Sequence, residues 1–404
     1  MFDYIKIEGF RSFKKVELNL SPLSVFIGPN SGGKSNFLDL MSLMAEAGQG
    51  HLADGIAARG GAGCLTFGFS FYGKILVELR FQGKSLADAF PPLAPMTGQG
   101  EHPNVLFKLG LESRPHTSRV WIEEVTEERT PQRPHPVLVM RRDSDACIFR
   151  SLATDQAGET EERKDLEWDS ELAIFQVRDL KKYPTPYKLL SQFQQWVLYR
   201  DVDVGSEAPI RLPGLVRPDF RLSADGANLS SVLNSIQGLH PETWEEIVEL
   251  LQTAYPDFQR ITFAPEGGDG KVVLRWWERP YEKQGVSANL LSDGTLKLLC
   301  LIAILMNPLP PPLICIDEPE IGLHPDWIEL VAELMQSAAA RTQLIVATHS
   351  PQIVAKLDPE QVIVTEKQEG ETSLRRLERR DLEKWLKDFN LSDLWLAGHF
   401  GGRP

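Results

Sequence analysis

Gly28-Pro29-Asn30-Ser31-Gly32-Gly33-Lys34-Ser35 lies between a short apolar run, Leu23-Ser24-Val25-Phe26-Ile27, and a stretch from Ser35 to Ala47 whose apolar residues have helical spacing. The octet fits G-x-x-x-x-G-K-[ST] in the strand–loop–helix context that gives this pattern its meaning. Its glycines let backbone N–H groups curl around a phosphate at the helix N-terminus, where the helix dipole favours an anion. Lys34 then reaches the β- and γ-phosphates of a nucleotide, and the Ser35 hydroxyl ligates magnesium. The helix is expected to stop before Gly48.

Two later strands complete the chemistry. Ile314-Cys315-Ile316-Asp317-Glu318-Pro319 is an apolar strand ending in two carboxylates. Side chains alternate along a strand, so Asp317 and Glu318 diverge and take different tasks. Asp317 can hold magnesium, and Glu318 can orient and deprotonate an attacking water. Leu344-Ile345-Val346-Ala347 leads into Thr348-His349-Ser350, which puts His349 at the edge where parallel sheets bind ligands, within reach of a γ-phosphate. Both runs are apolar on two sides, as central parallel strands are, and a helix over 325–339 connects them. Leu291-Ser292-Asp293-Gly294-Thr295 opens a helix over 294–306 that is apolar nearly all round and therefore buried. Taken alone, that opening is an ordinary N-cap.

The remaining pattern frames these motifs. Residues 2–9 and 16–20 alternate as two paired strands. Strands are expected at 65–72, 75–82, 105–112, 119–125 and 137–142, with breaks at Pro91-Pro92, Pro95 and Gly98-Gln99-Gly100 and a polar, acidic loop at 155–167. Residues 187–199 and 227–254 read as helices, with a capping-box pattern at Thr243-Trp244-Glu245-Glu246. Strands follow at 260–264 and 271–277.

Composition narrows the class. The chain has 404 residues, with 43 Lys and Arg against 56 Asp and Glu, a net charge of −13. Such a surface cannot coat nucleic acid as a whole, so any DNA or RNA contact needs a confined basic patch or a partner. Arg375-Arg376 and Arg379-Arg380 form one basic cluster, read first as a solvated face. The four cysteines, Cys64, Cys147, Cys300 and Cys315, are far apart, which excludes a zinc ribbon and a disulfide scaffold. The charged N-terminus does not read as a signal peptide, and the most hydrophobic stretch, Leu296 to Met306, is too short to span a bilayer. A cytoplasmic protein with no membrane association is expected.

In its order of motifs the chain resembles the ABC-type ATPase heads of the SMC, RecF and OLD-like proteins, in particular the stand-alone AAA-labelled branch often found in antiphage defence or DNA repair. Gly28–Ser35 looks like Walker A, Ser292-Asp293-Gly294 like the signature, Ile314–Glu318 like Walker B, Glu320–Pro325 like the D-loop and His349 like the switch histidine. The resemblance implies an α/β P-loop fold of ABC-ATPase type, with an antiparallel β subdomain and a helical insertion. The expected division is a nucleotide-binding lobe over 1–175, a mainly helical insertion over 176–285, and a lobe over 286–404 with signature, Walker B and switch elements.

The same resemblance implies an ATPase using ATP and Mg2+. Asn30, Ser31, Gly32, Gly33, Lys34, Ser35 and Asn36 would line the phosphates, and Arg11 and Ser12, in the Ile7–Phe13 segment, the adenine side. Glu318, His349 and Lys34 would be catalytic. Ser35, Asp317 and a Q-loop glutamine, Gln176 rather than Gln82, would hold the metal. Two copies would sandwich ATP, with Ser292 and Gly294 of one completing the other's site. Asp293 and Thr295 depart from the transporter signature, which argues against a transporter. The segment after His349 is too short for a Toprim nuclease domain, and no heptads mark a long coiled coil, so a separate effector chain, nuclease or toxin, is implied. A RecF-like DNA-repair clamp is the alternative, and a non-catalytic nucleotide sensor a further one.

Overall fold

The computed structural model describes residues 1–88, 102–115, 117–131, 133–143, 145–151, 160–176, 179–180, 182–266, 270–279 and 285–401. The chain opens with the expected hairpin: β1 (Phe2–Phe10) pairs antiparallel with β2 (Phe13–Asn19), Ile7 opposite Val16. β3 (Leu23–Ile27) is buried along its whole length. The phosphate loop then leads into α1 (Lys34–Gln49), which runs on to a left-handed Gly50. Gly48 does not stop it, because this glycine is where the helix meets Phe193: a Cβ there would come within 2.6 Å of the phenylalanine's own.

Next come α2 (Leu52–Ala58) and α3 (Ala62–Leu65), then β4 (Lys74–Phe81) and α4 (Gly83–Asp88). The strand expected over 65–72 is not formed. Gly68 and Phe69 have positive φ, which an extended run does not allow, and only a single bridge joins Phe10 to Thr66. β5 (Val105–Arg114), β6 (Thr117–Glu127), β7 (Val137–Asp143), β8 (Ala146–Ser151) and β9 (Thr160–Asp165) complete an antiparallel sheet of order β2-β1-β4-β5-β6-β7-β8-β9. β9 occupies much of the expected acidic loop. Its charged side chains suit a sheet edge, where they deter further pairing. The breaks expected at Pro91-Pro92, Pro95 and Gly98-Gln99-Gly100 lie outside the described residues.

The segment read as a mainly helical insertion carries strands as well. Following α5 (Ala173–Gln176), it holds α6 (Pro184–Gln195), β10 (Val197–Tyr199), β11 (Gly214–Leu215), α7 (Leu229–Leu239), α8 (Pro241–Ala254), β12 (Phe258–Glu266) and β13 (Lys271–Glu278), with β14 (Val286–Ser287) just beyond. The helix expected over 187–199 ends at Gln195, and Trp196 turns the backbone extended into β10. The helix expected over 227–254 is broken at His240-Pro241, since a residue before proline is pushed out of the helical region. Thr243 to Glu246 therefore lie inside α8 and form no cap.

The remaining elements are α9 (Asp293–Leu305), β15 (Leu313–Asp317), α10 (Pro325–Ala338), β16 (Gln343–Ala347), α11 (Pro351–Ala355), β17 (Val362–Gln368), β18 (Glu371–Arg376), α12 (Arg379–Leu382) and α13 (Leu391–Leu396). A second sheet has the order β10-β15-β16-β3-β17-β18, all parallel except the β17–β18 hairpin. A third, small sheet joins β11, β13, β12 and β14. Alternation along the parallel strands feeds two cores. Phe26, Cys315, Ile345 and Ile363 pack with α1 and the antiparallel sheet, whereas Val25, Ile314, Ile316 and Val346 pack with α9 and α10. Gln343 ties the two large sheets together, accepting from the Phe2 N–H at 3.1 Å and donating to its carbonyl at 2.7 Å.

Candidate functional site

The C-terminal ends of β10, β15, β16, β3 and β17 share one edge, and the motif residues gather there. The phosphate loop follows β3 and leans on β17 and β18. A Cβ on Gly28 (φ 147°) would lie 2.3 Å from the Thr365 carbonyl oxygen, and one on Gly33 (φ 108°) 2.6 Å from the Thr372 hydroxyl. Those two threonines, which the motif reading did not single out, also hold the loop by donating to the carbonyls of Ile27 and Gly32, each at 3.0 Å. Lys34 folds back across the loop, its Nζ donating to the Gly28 carbonyl at 2.8 Å and that of Pro29 at 3.1 Å. Burial lowers its pKa to about 8, although Glu318, Asp317 and Glu320 pull the other way.

Asp317 ends β15 beside the loop. Burial raises its pKa, opposed first by the Arg200 cation and also by Lys34 and a hydrogen bond with the Ser35 hydroxyl. Glu318 follows in a left-handed conformation (φ 51°), its N–H donating to the Ala347 carbonyl at 2.8 Å. Its carboxylate stands 3.7 Å from His349 Nε2. Burial and the nearby Lys34 lower the pKa of His349, which keeps the imidazole neutral at pH 7.

Arg11, Ser12 and Asn36 also converge. Asn36 accepts from Arg11 at 3.2 Å and donates to the Ser12 hydroxyl at 2.8 Å, and Ser12 lies 2.9 Å from the Thr372 hydroxyl. Arg11 pairs with the buried Asp39 one turn along α1, at 2.6 Å, and Arg59 and Arg200 reach the same carboxylate at 2.9 and 3.2 Å.

Gln176 is not at this edge. Its Oε1 accepts from the N–H groups of Glu167 and Trp168 at 2.7 and 3.2 Å, and its Nε2 donates to the Trp168 carbonyl at 2.9 Å. Neighbouring Phe175 packs on Gly50, at the far end of α1 from the phosphate loop, and 16 helical residues span about 24 Å. Gln82 fares no better, since it bonds Asp3 and the Met1 carbonyl at the opposite end of β1 from Arg11. The residue that the structure does place next to Asp317 is Arg200. β10 pairs with β15 so that Tyr199 faces Ile316, which brings Arg200 level with Asp317. A sequence signal existed, an apolar run ending in charge like that of β15, but it was absorbed into a helix.

Ser292 and Gly294 sit on α9, on the opposite face of the parallel sheet from α1. Ser292 is a true N-cap, its hydroxyl accepting from the Thr295 N–H at 3.1 Å. Buried Arg211 anchors this corner, donating to the Leu291 carbonyl at 2.7 Å and pairing with Asp293 at 2.5 Å. Between α9, the end of β10 and the turn after β15 lies a cavity of about 310 Å³, bordered by Arg200, Asp201, Lys297, Asp317, Glu318 and Ile321. Asp201 and Lys297, both lining it, form an ion pair at 3.1 Å. The C-terminal arginines are engaged within the chain: Arg375 with the Phe400 carbonyl, Arg376 with Asn19, Arg379 with Asp358 and Arg380 with Glu378. Trp276 is core, 4.4 Å from Phe258 between ring centroids.

Among the described residues no helix is long and apolar enough to cross a membrane, and no group of three or more His, Cys, Asp or Glu residues could hold a metal ion.

Comparison with known proteins agrees with this geometry. Residues 1–67 match the family model "AAA ATPase domain", and residues 275–355 match "AAA domain, putative AbiEii toxin, Type IV TA system". The retron Ec83 probable ATPase of Escherichia coli is 26% identical over 148 residues, 33% of this chain and 26% of that protein, so the likeness spans about a quarter of the relative's length. A crystal structure of an SMC head bound to the C-winged-helix domain of ScpA superposes with a TM-score of 0.57 at 17% identity, covering 94% of this chain and 99% of that one. An SMC head with an extended coiled coil, bound to the C-terminal domain of ScpA from Pyrococcus furiosus, gives 0.56 at 14% identity, with 96% and 98% coverage. The chain has the fold of the SMC head domains.

Proposed function

We propose that this chain binds and hydrolyses ATP at the Gly28–Ser35 edge and uses the nucleotide as a dimerisation switch. The observation that carries the reading is the gathering at one sheet edge of the glycine loop, Lys34 folded across it, Asp317 at the end of β15, and Glu318 3.7 Å from His349 Nε2. Ser35 and Asp317 are oxygen donors of the type magnesium takes, and the glycine cradle leaves no room for a side chain. They would hold the metal, which when bound supplies charge neutralisation across the β- and γ-phosphates.

The protein's own groups then divide the work. Lys34 exchanges its two backbone carbonyls for phosphate oxygens. Glu318 orients a water and accepts its proton as the oxygen attacks the γ-phosphorus and the bond to the β–γ bridging oxygen breaks, releasing ADP. Neutral His349 donates a hydrogen bond to the γ-phosphate. The free N-terminal N–H groups of α9 would complete the site of a second copy, with Ser292 and Gly294 lying against the phosphate bound there. We further propose a role in nucleic-acid surveillance, most simply antiphage defence, with the destructive activity on a separate nuclease or toxin chain. The likeness to a retron ATPase and to the AbiEii model supports that reading.

Light scattering of the Glu318→Gln variant with ATP and magnesium tests the switch. The mass should double, and adding Ser292→Arg should return it to that of a single chain. Equal mass with and without ATP, and indifference to Ser292→Arg, would end the shared-site mechanism. Chains that co-purify with the trapped variant would identify the effector.

A further inference from the structure

Glu320 has no part in the chemistry above, yet its carboxylate is placed with care. It stands in the turn after β15 and reaches across to the loop after β16. There its Oε1 accepts from the Thr348 hydroxyl at 2.8 Å and from the His349 backbone N–H at 2.7 Å. The Thr348 hydroxyl, in a fully buried side chain, in turn accepts from the Ser350 N–H at 2.9 Å. The second oxygen, Oε2, is buried with no hydrogen-bond partner among the described residues. Burial raises the pKa of the group, which marks the cost of keeping it there. A side chain that only filled this space would be cheaper as an apolar one.

What the carboxylate joins is informative. Glu318 lies two residues earlier in the same turn, and the His349 imidazole stands 3.7 Å from it. One end of the Glu320 link is therefore the backbone that carries Glu318, and the other is the backbone that carries the imidazole. We propose that Glu320 is a positioning residue for hydrolysis: its hydrogen bonds to Thr348 and to the His349 N–H hold the imidazole in register with Glu318, so that both face the same water and γ-phosphate. This rests on the ATPase reading above.

Glu320→Ala, Glu320→Gln and Thr348→Val, each with and without His349→Ala, test it through steady-state kinetics and hydrogen exchange. Glu320→Ala should lower kcat at least ~10-fold and leave KM for ATP within ~2-fold, because the lost interaction acts on the transition state. Glu320→Gln keeps the acceptor oxygen and should recover most of the rate. In the His349→Ala background the same Glu320→Ala change should cost less than ~2-fold, since residues acting as one unit are not additive. A full loss in that background, a glutamine variant as slow as the alanine, or a rise in KM with kcat intact overturns the proposal. Should Glu320→Ala not fold, Thr348→Val decides: a lower kcat supports the link, and an unchanged kcat ends it.

Exchange of the 348–355 peptide reads the link without turnover. It should quicken in Glu320→Ala and not in Glu320→Gln, whereas equal exchange in all three proteins rejects the link. A wild-type protein that turns over no ATP would remove the proposed function, and the exchange result would still decide whether Glu320 anchors His349.

Discussion

Two acidic sites, one in each large sheet, are built on opposite plans. Glu123 on β6 is wholly enclosed. Its oxygens accept from the Ala173 and Ile174 N–H groups at 2.5 and 2.9 Å, with the equally enclosed Arg142 at 3.8 Å. Arg142 donates to the Glu171 carbonyl at 2.8 Å, and the Glu171 carboxylate caps α2 through the Leu52 and Ala53 N–H groups at 3.0 and 2.9 Å. Each of these named groups has its partner inside the chain. At the edge of the parallel sheet the bonds are provisional. Lys34 leans on backbone carbonyls, Glu318 stands off His349, and Glu320 keeps one oxygen without a partner among the described residues. A closed network fastens elements together, whereas an open one keeps its capacity for a ligand.

That contrast can be broken by experiment. Glu318→Gln should cut ATP hydrolysis by ~10²–10⁴-fold, the usual worth of a general base, while thermal unfolding stays within ~2 °C of wild type because no buried pair is broken. Glu123→Ala should do the reverse. It strands the buried Ala173 and Ile174 N–H groups and removes the carboxyl facing Arg142, which should cost ~2–5 kcal/mol in denaturant unfolding, with turnover per folded molecule unchanged. A stable Glu123→Ala protein with slowed hydrolysis would erase the distinction between the two sites.

Lys34→Ala should weaken ATP binding ~10–100-fold in calorimetric titration, the loss of a charge-assisted hydrogen bond, without lowering stability. The smallest effect concerns protons. In the free protein Lys34 titrates at about 8, and phosphate contact should keep it protonated. Between that pH and the ordinary lysine value, binding must therefore take up a proton, and affinity should fall up to ~10-fold per pH unit. Titrations in buffers of different ionisation enthalpy should show proton uptake at pH 9 and little at pH 7.

Much of the edge was legible because its signals are local. The glycines, Lys34 and Ser35 are contiguous, and Asp317 and His349 each follow a run of apolar residues long enough to show a buried strand. Gln176 was misplaced for the converse reason. Its assignment depended on where a loop would lie in space, and nothing in neighbouring residues reports that it bonds back to Trp168. Arg200 was missed because a three-residue strand carries too little period to separate it from the preceding helix. The break at His240-Pro241 was readable from the proline and was outweighed by the helical pattern on both sides. Glu123 and Glu171 gave no signal at all, since their partners lie 50 and 118 residues away or more.

The place of β3 in its sheet has a bearing on how the protein is made. Leu23 pairs with Leu344 on one side and Val25 with Val362 on the other. Roughly 340 further residues must leave the ribosome before both neighbours exist, about 20–70 s at ordinary rates of synthesis. Throughout that interval the nascent chain carries an apolar strand with two open edges, the kind of segment that aggregates or occupies a holdase. The walls of the phosphate loop, Thr365 and Thr372, are translated later still. A nucleotide can therefore assist folding only after residue 372 has been made, as a ligand that rewards the completed sheet, and a premature stop before residue 362 should yield an insoluble, nucleotide-blind fragment.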